Sequence, residues 1–468
     1  MKKLILITSC MLALLMPTRL FALELSEEQT QKLNTYLERQ ADAFHLPGLA
    51  CALFTTDQTV TVKLFERGVS ESSSFLIGSC SKTFTALAAL LSLEAENIPL
   101  DTPLSELLPT LTFQGQRKPV TVRNLLEHRS GLTRRQGFTE LPSLQALEET
   151  GLVLKPANEP GENYNYCNLN YTILGLIIEK ITHQTYAEYV HNCIFMPLGM
   201  TDSHAGPPPE DAELAPEHQY LFGYPLEVSH SLPSPTTIPA GFIRTSVRDL
   251  ALFQRCLMTG GLLDEKRIFS RHLIDLMTTP SGQAEYGYGM GLTRGYLPPA
   301  GALSGHEGAT QTSYSLTAWF PEKQYGLVLL VNINLFDPFT DPGSAIFQNL
   351  VRILESQPIK PIRPYKIYLR YVLLILIVFN LSSLIRNLLK LHRLGWPLHL
   401  PDNKRKWFSA LTGFALPIII WFALLRWTQI SLPHLIKLEP DFIWTVIVLT
   451  VFGMIKSSLK NCTNSTTQ

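Results

Sequence analysis

The sequence predicts a two-lobed α/β domain, an antiparallel sheet with a helical lobe inserted into it, followed by C-terminal transmembrane helices. Three observations lead there. Strand-like runs stand at both ends of residues 23–356, with helical patterns between them, and strands drawn from both ends close one sheet around the insertion. A proline-rich stretch, Gln357 to Pro364, follows. Beyond it the chain turns apolar and holds five of the six tryptophans: Trp396, Trp407, Trp421, Trp427 and Trp444.

Composition sets the outer limits. The 468 residues carry 39 Lys+Arg against 39 Asp+Glu. That balance gives no basic excess to offset phosphates, so no nucleic-acid partner is expected. Charged residues are 17%, below the roughly 25% of ordinary soluble domains, and mean hydropathy is +0.10. A disordered chain would be richer in charge and poorer in apolar residues.

Residues 1–22 read as a secretory signal peptide, because Lys2 and Lys3 precede an apolar run from Leu4 to Met16. The seven cysteines (Cys10, Cys51, Cys80, Cys167, Cys193, Cys256 and Cys462) are odd in number and widely spaced. They form neither a disulfide framework nor a Cys/His metal pattern. No metal or cofactor is expected.

The strands come first and last in the exported domain, residues 23–356. Leu49–Phe54 and Val60–Leu64 open it, and Tyr314–Phe320 and Tyr325–Asn332 close it. Just after the first pair comes the stretch Phe75 to Leu93, whose helix is apolar on nearly every face, and Lys82 is the lone charge between Glu71 and Glu94. Burial disfavours an ammonium and lowers its pKa. Ser79 lies one helical turn earlier on the same face. A desolvated amine beside a hydroxyl is a general base beside a nucleophile.

Two later stretches extend the pattern. Tyr166-Cys167-Asn168 precedes an amphipathic helix, and His306-Glu307-Gly308 leads toward the strand at Tyr314. In this order SxxK, YxN and HxG resemble the three motifs of the β-lactamase-related serine hydrolases. That family holds class C β-lactamases, serine D,D-carboxypeptidases, D-aminopeptidases and related esterases. The flanking segments Val120–Leu132, Pro239–Phe253 and Tyr286–Gly291 are similar to the family's as well.

The resemblance implies a serine β-lactamase/D,D-peptidase-like fold and a set of roles. Ser79 would be the acylated nucleophile and Lys82 its proton acceptor. Tyr166 would protonate the leaving group and later activate water, and Asn168 would hydrogen-bond Lys82 and the substrate amide. His306 would complete the proton and charge network. Gly308 would let substrate lie against the strand, with the Ser79 and Ala309 N–H groups forming the oxyanion hole. Glu307, where the family usually has Thr, would bring a negative charge near the acyl pocket. His128 reads as structural. No GxSxG elbow is present, and Thr310 stands where a zinc HExxH motif needs its second His.

The remainder reads as a linker (357–370), a transmembrane region (371–455, with helices over 371–385, 407–425 and 442–455) and a tail (456–468). The 386–406 loop carries six basic residues against Asp402, so the positive-inside rule places it in the cytoplasm and the hydrolase domain outside. The expectation is an inner-membrane, multi-pass serine hydrolase whose partners are membrane lipid and a small-molecule or peptidoglycan-type peptide substrate. Its substrate class would be D-amino-acid peptides or small esters. The alternatives are a β-lactamase, or a non-catalytic penicillin-type receptor or membrane factor with a vestigial hydrolase domain.

Overall fold

Seven strands form one antiparallel sheet whose middle joins the two ends of the domain. In chain order they are β1 (Leu49–Thr55), β2 (Thr59–Phe65), β3 (Gly287–Tyr288), β4 (Thr293–Leu297), β5 (Gly301–Ala309), β6 (Tyr314–Phe320) and β7 (Tyr325–Val331). Across the sheet they run β3-β4-β5-β6-β7-β1-β2. The closure is the β1–β7 ladder, which pairs Leu49 with Val331 and Thr55 with Tyr325. The four strands expected from sequence are present within a residue of their predicted ends. His306 and Gly308, read as leading toward the strand at Tyr314, lie inside a strand of their own, β5.

This computed structural model describes residues 25–393, apart from 57–58, 66–67, 138–139, 282–284 and 336–340, together with most of 443–452. The signal-peptide residues 1–22, the apolar run 407–425 and the tail lie outside the described residues.

Each sheet face is covered. Helices α1 (Glu27–Ala43) and α6 (Pro342–Leu354) lie on one face, where Leu33, Leu37, Leu327, Leu329, Ile346 and Leu350 share a core. On the other face α5 (Val247–Met258) packs against β1 and β7 and leads into the helical lobe. That lobe is built on α2 (Ser81–Ala95) and α3 (Asn168–Thr182), with the short α4 (Ile238–Gly241) against both. Alternation along the strands divides the two cores: Ala50, Ala52 and Phe54 face the lobe, while Leu49, Cys51 and Leu53 face α1 and α6.

After Pro364 the structure corrects the predicted boundaries. Helix α7 spans Tyr365–Arg393, 29 residues, so it takes in the end of the predicted linker, the first apolar run and the start of the basic loop. Within it Ile367 is buried and Arg370 lies over the Tyr220 ring, 5.0 Å from its centroid. Among the described residues no helix is long and apolar enough to cross a membrane. The predicted crossings at 371–385 and 442–455 are therefore unsupported by the structure.

Candidate active site

The nucleophile sits on a tight turn between strand and helix. Gly78–Cys80 form a single 3₁₀ turn that runs into α2. Gly78 has φ +50°, a left-handed backbone that glycine adopts without strain. Its Cα also lies so close to Ala309 N that a Cβ would collide with it. From the other side, Gly308 abuts the turn: a Cβ there would meet Ile77 O and come within 2.8 Å of Ser79 N. The turn is therefore pressed onto bare β5 backbone, which brings the Ser79 and Ala309 N–H groups to one place. Further bonds fix it. Ser315 Oγ donates to Ile77 O at 2.7 Å, Cys80 Sγ to His306 O at 3.2 Å, and Ile243 N to Ser81 Oγ at 3.0 Å.

Lys82 is fully buried one turn beyond Ser79. Its Nζ lies 3.1 Å from Ser79 Oγ and donates a second hydrogen bond to Ala240 O on α4. No carboxylate offsets its burial, and desolvation pulls the amine from 10.5 down to about 7. Tyr166 OH reaches the same Oγ at 2.6 Å. Burial acts in the opposite sense on a phenol and pushes Tyr166 well above its usual value. At neutral pH the pair thus holds an amine that can take a proton and a phenol that can give one.

The third motif is placed differently from expectation. His306 Nδ1 donates to Glu307 O at 2.6 Å, so Nε2 is the unprotonated nitrogen, and it meets Tyr288 OH at 3.2 Å. Burial, with Lys82 nearby, lowers His306 to about 4. It is a neutral imidazole under Tyr288, where the resemblance had it complete the proton and charge network. Glu307 points to the opposite sheet face, toward Tyr314 and Asp341, and desolvation raises it to about 7. The negative charge predicted for the acyl pocket is absent because neighbouring strand residues face opposite ways. Gly308 too acquires a different reason: its bare Cα admits the nucleophile turn.

The motif order, the sheet and the Ser79–Lys82–Tyr166 cluster all lie within residues 33–347, the span that matches the beta-lactamase family. The chain belongs to the beta-lactamase family. Among curated relatives it is similar to Protein flp of Staphylococcus aureus, 24% identical over 331 residues, 66% of this chain and 64% of that protein. It is also similar to penicillin-binding protein 4* of Bacillus subtilis, 32% identical over 174 residues, 35% of this chain and 37% of that protein. The chain thus spans under two thirds of the length of either relative. Among solved structures, the octameric penicillin-binding protein homologue from Pyrococcus abyssi superposes with a TM-score of 0.58 at 25% identity, covering 73% of this chain and 81% of that one. A D-stereospecific amidohydrolase from Streptomyces sp. gives 0.55 at 25% identity, covering 69% and 99%. A class C beta-lactamase gives 0.60 at 19% identity, covering 71% and 98%, a likeness of fold alone.

Two further parts of this beta-lactamase-family site differ from, or escape, the sequence reading. The predicted bond between Asn168 and Lys82 is not made: Asn168 Oδ1 is buried without a partner, and Ala240 O holds the amine. His128, read as structural, is fully buried among the rings of Tyr166, Tyr171 and Tyr288 at 4.4, 5.0 and 4.9 Å. Its Nδ1 accepts from Cys167 N at 3.2 Å and so fixes the backbone that carries Tyr166. Sequence missed Ala240 O because a backbone carbonyl carries no pattern, and Tyr288, though inside the Tyr286–Gly291 segment, gave no sign of its contact with His306. Cys80 and Cys167 are both free thiols, pushed up by burial to about 12 and about 11.

Proposed function

We propose that the protein is an exported serine hydrolase that works through an acyl-enzyme on Ser79, with D-amino-acid peptides as its leading substrate class and small esters next. The observation that carries this reading is the convergence of Lys82 Nζ and Tyr166 OH on Ser79 Oγ at 3.1 and 2.6 Å. The D-stereospecific amidohydrolase among the structural neighbours supports the substrate class.

The steps follow from the proton inventory. Lys82 as neutral amine takes the Ser79 proton while Oγ attacks the carbonyl carbon. The Ser79 and Ala309 N–H groups receive the developing oxyanion. Tyr166, kept protonated by burial, gives its O–H to the leaving group. The proton stored on Lys82 makes good that loss before water attacks the acyl-enzyme. Asn168 Oδ1, unpartnered in the resting site, is free to accept a substrate amide N–H. His306 is a neutral spacer under Tyr288.

The reading extends to location. A signal-type N-terminus and the basic 386–406 segment support an extracytoplasmic catalytic domain held at the inner membrane. Ile375, Val378 and Phe379 of α7, each more than half exposed, would meet lipid. A fluorophosphonate should label wild type and leave Ser79→Ala unlabelled. Labelling that persists at another residue would overturn the nucleophile. A reporter active only outside the cytoplasm, inserted after Gln357, should be active, and silence there would overturn the topology.

A further inference from the structure

Away from the catalytic serine, an apolar surface lies open where two distant parts of the chain meet. Residues Glu217–Leu221 and Tyr224–Val228 pair as a two-stranded ribbon, with Leu221 opposite Tyr224 and Gln219 opposite Leu226. Cross-strand partners share a face, and on this one Leu221, Tyr224 and Leu226 are all exposed. The other face turns inward at Tyr220, which is buried and donates its hydroxyl hydrogen to Phe44 O.

The ribbon tip is pressed onto the start of α7. Gly223 has φ +89°, and a Cβ on it would come within 2.9 Å of Tyr371 Cε1 and 3.2 Å of Ile367 Cγ2. The Tyr224 and Tyr371 ring centroids are 5.9 Å apart. Residues four apart share a helix face, so Ile367, Tyr371, Ile375 and Phe379 form one stripe along α7. The domain buries Ile367 and half-buries Tyr371, whereas Ile375 and Phe379 are bare. The exposed face of the ribbon thus runs on into the exposed part of that stripe. A continuous apolar surface of this kind marks a contact with a partner or a membrane.

Two features say what covers it. Exposed tyrosines gather at the junction, Tyr224 on the ribbon with Tyr365 and Tyr368 on α7, and amphipathic rings favour the boundary between headgroups and hydrocarbon. Charge there has one sign. Between Glu355 and Asp402 the sequence holds no acidic residue but seven Lys and Arg, and of these Lys360 and Arg363 stand exposed just ahead of α7. Such a segment is drawn to anionic lipid headgroups.

We propose that the 217–228 ribbon is a membrane-docking element whose Leu221, Tyr224 and Leu226 face enters the interfacial layer of an anionic phospholipid bilayer beside the first turns of α7. This rests on the membrane reading above and adds to it a second contact, contributed by the hydrolase domain itself. A domain held at two points keeps one orientation on the bilayer, where a single helix would let it swivel.

The test reconstitutes the full chain in vesicles of phosphatidylcholine and phosphatidylglycerol, with the photo-reactive p-benzoylphenylalanine placed singly at Leu226, Glu227, Phe379 or Glu106. Glu227 is exposed on the ribbon's opposite face, and Glu106 is exposed on the helical lobe. An unchanged melting temperature shows that each variant folds. On irradiation, positions 226 and 379 should form lipid adducts, read by intact-protein mass, at yields several-fold above 227 and 106. Adducts at 379 without any at 226, or equal yields at 226 and 227, overturn the ribbon's role and leave α7 in the membrane. No adduct at either 226 or 379 overturns the membrane reading and this one with it. Covalent dimers at 226 in place of lipid adducts would make the face a contact between copies of the chain and would also overturn the proposal.

Discussion

Raising the pH from 6 to 8 should speed acylation of Ser79 about tenfold, because the rate follows the neutral fraction of Lys82. With the amine lowered to about 7, that fraction is about 0.1 at pH 6 and about 0.9 at pH 8, from the titration relation alone. A solvent-exposed lysine near 10.4 would be neutral to only about 0.4% at pH 8, so burial is worth a factor of about 200 in available base. The sign is fixed by the direction of the shift: protonation stops the reaction, so activity is lost as pH falls through about 7. The assay is the single-turnover rate of Ser79 labelling by an uncharged fluorophosphonate between pH 5 and 9, read by intact-protein mass. Lys82→Ala should lose the midpoint and about 10²-fold or more of the rate, the scale of general-base catalysis. A wild-type rate that stays flat from pH 5 to 9, as expected of a base lowered to about 4 such as His306, would transfer the base role to His306. A rate still climbing at pH 9 would show that Lys82 is an ordinary ammonium, and the desolvation argument would fail.

Two other substitutions probe the same construction. Gly308→Ala puts a Cβ against Ile77 O and 2.8 Å from Ser79 N, so the nucleophile turn must move. Labelling should drop by about 10²-fold or more, as for a lost oxyanion donor, and overpacking should lower stability by about 1–3 kcal/mol in a denaturant melt; unchanged labelling would refute the close contact. Lys82→Met should gain thermal stability relative to wild type as pH falls from about 10 to about 7. Only the unfolded wild-type chain takes up a proton in that window, so wild-type stability declines there; a parallel pair of Tm curves would refute it.

Much of the site was legible because its signals are local. A single lysine in an otherwise uncharged helix announces a buried amine, and a serine one turn away gives it a partner. Strands β1 and β7 were legible through their apolar runs. What sequence hid depends on partners distant along the chain. His306 is neutral because it is buried with Lys82 close by, and Lys82 is held by Ala240 O, 158 residues away. Glu307 is a different case. Once Gly308 is known to face the nucleophile turn, the period of two in a strand forces Glu307 to the other face. That signal was present, but it needed the 301–309 segment to be read as a strand, and its Gly301, Gly305 and Gly308 obscured it. Helix α7 begins at Tyr365, directly behind Pro364, which helices accept at their first turn.

The base and the acid are products of one apolar environment. An amine is charged when protonated and a phenol when deprotonated, so the same desolvation lowers Lys82 and raises Tyr166. No acidic partner is needed, and one would be harmful, since a carboxylate beside Lys82 would restore its ammonium. The rotation of Glu307 to the far sheet face is consistent with that demand, and so is the choice of a neutral carbonyl, Ala240 O, to hold the amine. His128 fits the same scheme: burial keeps it far below its usual value, so it anchors the Tyr166 backbone without adding charge. Water admitted to the pocket would therefore damage both groups together, raising Lys82 toward 10.5 and lowering Tyr166 toward 10. The rings of Tyr166, Tyr171 and Tyr288, packed around the His128 ring at 4.4, 5.0 and 4.9 Å, are the barrier against it, which makes this aromatic cluster as much a part of the chemistry as the hydroxyl it surrounds.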